Sequence, residues 1–255
     1  MPEQPGEKPV EMTRAEIQQA AKVETASPSR RRYRAVVFQA ALFSALGLFI
    51  LLAVLVETTT SFPLDIQITR AIQSIDFPLF SDFMRLISWP GFYPQSIIII
   101  LLIALVLHLY GLHWESVTSL LAALISGVIN EWVKNLIQRP RPAADLVDIF
   151  EVLKSYSFPS AHVMFYTIVF GFIWYLAYTL LKRSMQRSLL LGLFGVLILL
   201  VGVSRIYLGQ HWASDVLGAY LLGGLSLVGI VLLYQWGKKR FFVHQPVAPS
   251  DFRKE

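Results

Sequence analysis

The stretch from Ser204 to Asp215 places an arginine, a histidine and an aspartate between two long apolar runs. Ionisable groups at such a depth in a membrane are costly unless they are paired or used. Arg205, His211 and Asp215 are therefore candidate functional residues. If the chain after Gln210 is helical, His211 and Asp215, at i and i+4, share one face. The carboxylate can then hold one imidazole nitrogen and leave the other free to react, with Arg205 as a fixed positive charge beside it.

Two earlier stretches offer complementary groups. From Lys134 to Pro142 the chain reads Lys-Asn-Leu-Ile-Gln-Arg-Pro-Arg-Pro, which brings Lys134, Arg139 and Arg141 close together in sequence. The prolines stop a helix and hold the chain extended, while Lys134, one or two turns back, can point to the same place. Snorkelling toward phospholipid headgroups is the competing reading for these cations. The other stretch, Ser157 to His162, carries Pro159 and Ser160 where a helix would begin. Free backbone N–H groups at such an end favour an anion, and Ala161 keeps the side chain small where that anion would approach. Taken alone, Ser160 reads equally well as a helix cap and His162 as an interfacial histidine.

Electrostatics decides what such a set would bind. A divalent metal site calls for converging carboxylates, yet Asp215 is the one strongly placed carboxylate and cations outnumber it. No metal and no cofactor is expected. Arginine forks with a lysine point charge suit phosphate. Phosphoryl transfer needs positioning and charge stabilisation with attacking and leaving atoms in line. Two histidines can divide that work, one attacking phosphorus and the other protonating the departing oxygen. Asp215 marks His211 as the oriented nucleophile, which leaves His162 as the general acid.

These residues need elements that hold them at membrane depth. Of 255 residues, 55% are hydrophobic and 15% charged, and the mean hydropathy is +0.56; soluble domains are about a quarter charged. The composition predicts an all-α integral membrane bundle. Its six spans are expected at Ala35–Val56, which would be about 33 Å long, Ser96–Leu109, Val117–Val133, Val163–Leu181, Leu189–Val203 and Val216–Tyr234. Between the first two, Phe80, Phe83, Met84 and Ile87 fall at helical spacing opposite Ser81, Asp82 and Arg85, predicting an interfacial helix. Residues 1–29 read as a disordered segment, 30–240 as one membrane domain and 241–255 as a tail.

Basic clusters at Arg30–Arg34, Lys182–Arg187 and Lys238–Arg240 put both termini in the cytoplasm by the positive-inside rule. The gaps after the third and fifth spans, with every candidate residue, then lie on the extracytoplasmic face. His108, His113 and His244 fall on the cytoplasmic side and read as interfacial residues. The net charge of +5 is explained by topology and anionic lipid, so no nucleic-acid partner is expected. The absence of cysteine excludes disulfides, zinc–thiolate sites and cysteine nucleophiles.

Lys134-x6-Arg141-Pro142, Pro159-Ser160-Ala161-His162 and Ser204-Arg205-x5-His211-x3-Asp215 resemble, in order, the three signature motifs of the type 2 phosphatidic acid phosphatase family. The motifs cover about a third of the chain, from Lys134 to Asp215. The resemblance implies a metal-independent lipid phosphatase of six helices with its site at the outer membrane interface. It assigns phosphate binding to Lys134, Arg141, Ser160 with Ala161, and Arg205, the acid role to His162, and the nucleophile and its orienting partner to His211 and Asp215. Implied substrates are polyprenyl diphosphates, phosphatidic acid, phosphatidylglycerol phosphate and diacylglycerol pyrophosphate. The family's second motif usually has glycine where this chain has Ala161, which matters only if the backbone there needs positive φ. The family gives Arg139 no comparable role, and contact with lipid headgroups is the reading left for it. Two rival functions are a phosphotransferase that passes the group to another lipid or sugar, and a non-catalytic lipid-binding protein whose charges anchor headgroups.

Overall fold

The computed structural model describes residues 28–75 and 77–242. Of the segment 1–29 predicted to be disordered, residues 1–27 lie outside the described residues and Pro28 and Ser29 begin a helix; of the tail predicted at 241–255, Phe241 and Phe242 end a helical turn, and the rest, with His244, lies outside them. Among the described residues all regular structure is helical: α1 (Pro28–Thr58), α2 (Pro63–Gln73), α3 (Phe80–Ser88), α4 (Gln95–Leu109), α5 (His113–Ile137), α6 (Ala161–Leu180), α7 (Met185–Tyr207) and α8 (Ala213–Gly237). A π-helical turn at Tyr166–Phe170 interrupts α6, and another at Lys238–Phe242 extends α8. The chain divides into two compact units at Ser44; the described part of the first is the beginning of α1, and the second holds everything after it.

Among the described residues five stretches are long and apolar enough to cross a membrane alone: Ser29–Thr58, His113–Ile137, Ala161–Leu180, Met185–Tyr207 and Ala213–Phe242. The expected second span is different. α4 has 15 residues, about 22 Å of helix, against a hydrocarbon core of about 30 Å. It becomes long enough only together with Phe80–Gly91, from which it is bent by 59°. Pro90 and Pro94 account for the break, since neither can donate a helix hydrogen bond. The helix predicted at Phe80–Ile87 is thus the first arm of a bent pair, and the six-span count holds when that pair is one span. Its buried side is Met84, Ile87 and Ser88, while Phe83 is exposed.

α6 is the central helix. Val163, Met164, Tyr166, Ile168, Val169 and Phe172 have no exposed surface, and α5, α7 and α8 pack around them. Leu51, Leu101, Leu105, Leu193 and Leu199 are more than half exposed. Apolar side chains on so many helices belong against acyl chains. At one end of the bundle the last turn of α5, the first of α6, the last of α7 and the first of α8 carry Lys134, His162, Arg205 and Asp215.

Candidate active site

The corner between α7 and α8 is built by a glycine and a cap. Gly209 has φ +66, and a Cβ there would run into the Asp148 carbonyl oxygen. Any larger residue would be strained and would push the loop before α6 away. His211 N–H donates to the Arg205 carbonyl at 3.3 Å. α8 then begins at Ala213, and Asp215 Oδ2 accepts the Trp212 N–H at 2.9 Å. His211 therefore precedes the helix, and the expected helical face shared with Asp215 does not exist. The two residues meet because Asp215 caps the helix that His211 leads into.

The His211 side chain is 1% exposed, and its two nitrogens face different neighbours. Nδ1 lies 3.6 Å from Asp215 Oδ2 and 3.5 Å from Ser157 Oγ, while Ser157 donates to the same Oδ2 at 2.5 Å. Nε2 lies 3.3 Å from Arg141 Nη1. An arginine can only donate, so Nε2 carries the lone pair and the proton belongs on Nδ1, toward the carboxylate. Burial first, and then the charges of Arg141, Arg205 and Lys134, hold the His211 imidazole well below the ordinary histidine value of 6.5. It is neutral at neutral pH.

Arg141 is aimed by backbone oxygens. It donates to the Gln210 carbonyl at 2.6 Å, to the Ser155 carbonyl at 2.7 Å and to Ser155 Oγ at 2.9 Å. Burial lowers its pKa from the ordinary arginine value and the nearby Asp215 charge opposes the fall, so it stays a cation. Lys134, four residues before the left-handed residue Gln138 that ends α5, is 4% exposed.

Arg205 differs from its neighbours. It is fully buried, and Nη1 donates to Ser88 Oγ at 3.2 Å. Among the described residues Nε and Nη2 have no hydrogen-bond partner. The guanidinium lies over the Phe92 ring at 5.3 Å, and the His162 imidazole meets the same ring edge-on at 4.6 Å. On its other side His162 touches Gly91, where a Cβ would collide with the ring. His162 Nε2 and Ser160 Oγ are also buried with no partner among the described residues. Ser160 occupies the N-cap position of α6, yet its hydroxyl accepts no bond from the helix. The cap reading of Ser160 thus fails on geometry. Ala161 is not at positive φ, since Gln138 is the one described non-glycine residue there, so alanine in place of glycine costs no backbone strain.

Arg139 does not face lipid headgroups. It is 1% exposed, and its fork bridges two buried carboxylates, Asp215 Oδ1 at 2.5 Å and Asp65 Oδ2 at 2.9 Å. Sequence reasoning missed Asp65, Ser157 and Ser88, and it gave Gly91 and Phe92 no place beside His162. No group of three or more His, Asp or Glu side chains gathers as a metal site among the described residues. An open groove of about 380 Å³ lined by Arg70, Gln73 and Asp145–Asp148 contains none of the candidate residues.

The architecture and this end of the bundle define a multi-pass membrane protein with a buried, cation-rich histidine site. Residues 115–240 match the PAP2 superfamily. The chain is 32% identical over 197 residues to phosphatidylglycerophosphatase B of Bacillus subtilis (strain 168), covering 76% of this chain and 94% of that protein. It is 31% identical over 144 residues to YbjG of Escherichia coli (strain K12), named as an undecaprenyl-diphosphatase, covering 54% and 68%. Among solved structures it resembles the transmembrane PAP2-type phosphatidylglycerolphosphate phosphatase from Bacillus subtilis, with a TM-score of 0.68 and 28% identity over 78% of this chain and 98% of that one. The chain belongs to the PAP2 superfamily, and it is a membrane lipid phosphatase of that family.

Proposed function

We propose that this protein hydrolyses a phosphate monoester or diphosphate on a membrane lipid through a phosphohistidine on His211, without a metal ion. The observation that carries this reading is the set of buried polar atoms on Arg205, Ser160 and His162 that have no partner among the described residues, beside an imidazole of fixed tautomer. Leaving such atoms buried and unpaired costs several kcal/mol unless an anion satisfies them. Lys134, Arg141, Arg205 and Ser160, with Ala161 giving backbone access, hold the phosphate. His211 Nε2 attacks phosphorus, the bond to the lipid oxygen breaks, and His162 gives that oxygen a proton. Asp215 and the Nδ1 proton stabilise the charge that develops on His211. Water then attacks phosphorus and gives a proton to His162, the bond between phosphorus and His211 Nε2 breaks, and inorganic phosphate leaves. In this reading the basic clusters at Arg30–Arg34, Lys182–Arg187 and Lys238–Arg240 support, by the positive-inside rule, termini in the cytoplasm and a site on the extracytoplasmic face of the cell membrane.

Phosphatidylglycerol phosphate and undecaprenyl diphosphate are the first substrates to test, because relatives named for these two are among the similar proteins. The test is phosphate release by the detergent-purified protein with EDTA present, beside His211→Ala. The expected result is release by the parent and near-total loss in the variant, both folded. Activity retained by His211→Ala would overturn the assignment, and transfer to an acceptor with little free phosphate would make the protein a phosphotransferase.

A further inference from the structure

Two residues outside the three motif stretches, or without a role in them, converge on the catalytic carboxylate. Arg139 stands between α5 and α6, and Asp65 lies in α2, on the segment that follows the first span. Arg139 Nη1 donates to Asp215 Oδ1 and, at 2.7 Å, to Ser214 Oγ. Its Nη2 donates to Asp65 Oδ2 and its Nε to the Thr60 carbonyl at 3.2 Å. Asp65 in turn accepts the Ser214 backbone N–H at 2.8 Å and the Ser214 hydroxyl at 2.6 Å. Asp65, Arg139 and Asp215 are at most 3% exposed.

The two oxygens of Asp215 thus have separate duties. Oδ1 is taken by Arg139, whereas Oδ2 receives Ser157 and the Trp212 N–H and is the oxygen that faces His211. The Arg139 grip fixes the rotation of the carboxylate about its last bond, and Asp65 fixes both Arg139 and the backbone at Ser214, beside Asp215. We infer that Arg139 and Asp65 are positioning residues of the phosphatase site: Asp65 locks Arg139, and Arg139 holds Asp215 so that Oδ2 is presented to His211. The inference rests on the site reading above, with His211 as nucleophile and Asp215 as its orienting partner. Every nitrogen of Arg139 is engaged by a protein oxygen, so neither Arg139 nor Asp65 is assigned a contact with the phosphate.

A buried ion-pair network also supports the fold, so loss of activity in one variant proves nothing. The decisive comparison is Arg139→Met against the double variant Arg139→Met/Asp65→Leu, both in the full-length detergent-purified protein. The single change leaves the buried carboxylates of Asp65 and Asp215 without the cation they share. The double change removes one charge of each sign and restores the net charge of the cluster, as with buried ion pairs exchanged for apolar side chains. The double variant is expected to melt above the single variant, with kcat still about 100-fold below the parent and KM near the parent's. Recovery of kcat together with the melting temperature would overturn the inference and leave the network purely structural. Arg139→Lys, which can grip one carboxylate but cannot span both with its hydrogen-bond fork, is expected to give a kcat between parent and Arg139→Met. Should the double variant not fold, the nearly isosteric Asp65→Asn decides: a lowered kcat at a temperature where it is folded supports the inference, and a parental kcat overturns it. His211→Ala, assayed in parallel, separates the two levels of argument. If it stays active, the site reading itself has failed; if it is inactive while the double variant works normally, only the positioning role has failed.

Discussion

Arg139 and Arg205 are both arginines with at most 1% of their surface exposed, at the same end of the same bundle. Arg139 uses all three of its nitrogens, on two carboxylates, a serine and a carbonyl. Arg205 uses one, on Ser88, and keeps two without a partner among the described residues. On the proposed reading a saturated buried cation is part of the framework and an unsaturated one is a site for an anion, so sequence identity and burial alone do not separate the two roles. The saturation of the donors does.

The comparison is sharpest if the two arginines respond oppositely. Arg205→Met is expected to lower kcat/KM by at least about 10³-fold, as when a donor to the transition-state charge is removed. Its melting temperature should equal or exceed the parent's, because a desolvated, half-paired guanidinium has gone. Arg139→Met should instead cost about 3–5 kcal/mol of stability, since it strands buried carboxylates. Inorganic phosphate should raise the melting temperature of the parent and of Arg139→Met and leave Arg205→Met unmoved. Equal destabilisation by both substitutions, measured by thermal melts in one detergent, would break the distinction.

A smaller effect concerns pH. The folded-state pKa of His211 is depressed below 6.5 by burial and then by Arg141, Arg205 and Lys134. The free enzyme therefore holds the imidazole neutral, as the proposed nucleophile must be, down to pH values where an exposed histidine would already be charged. The acid limb of kcat/KM that reports this group in the free enzyme should fall below pH 6.5. Removing the nearest charge by Arg141→Met should raise the limb toward 6.5, and a limb that moves down would show that Arg141 does not act on His211.

Much of the site was legible because its chemistry needs residue types that a membrane otherwise excludes. Lys134, Arg141, His162, Arg205, His211 and Asp215 stand out against apolar runs for that reason, and the structure gathers them at one end. The framework was not legible in the same way. Asp65 sits in the sequence Pro-Leu-Asp-Ile-Gln, where nothing distinguishes it from a solvated carboxylate, and its partner Arg139 is far along the chain. The one available hint was an arginine at membrane depth with no phosphate to bind, which implies a buried carboxylate elsewhere. The bend between α3 and α4 was not legible, because amphipathic spacing over Phe80–Ile87 predicts the helix and fits a surface helix as well as the arm of a broken span. Only the tertiary contacts of Ser88, Gly91 and Phe92 with Arg205 and His162 give that segment its place.

The far end of the bundle provides the smallest expected effect. There Glu115 of α5 is 1% exposed and pairs with Lys238 at 2.6 Å, while Tyr234 donates to the same carboxylate at 2.9 Å. Charge is buried here too, but the pair closes the opposite ends of α5 and α8 on each other, and the lysine side chain stays 34% exposed. It resembles the Arg139 network in being paired within the protein, and differs in reaching solvent. Glu115→Gln keeps the shape and an acceptor for Tyr234, and it frees Lys238 to turn toward the interface. Its cost in stability should be about 1 kcal/mol or less, as for ion pairs open to water, with kcat/KM unchanged. A loss of activity without a fall in melting temperature would couple the two ends of the bundle, and the division between a framework and an anion site would no longer run along the helix axis.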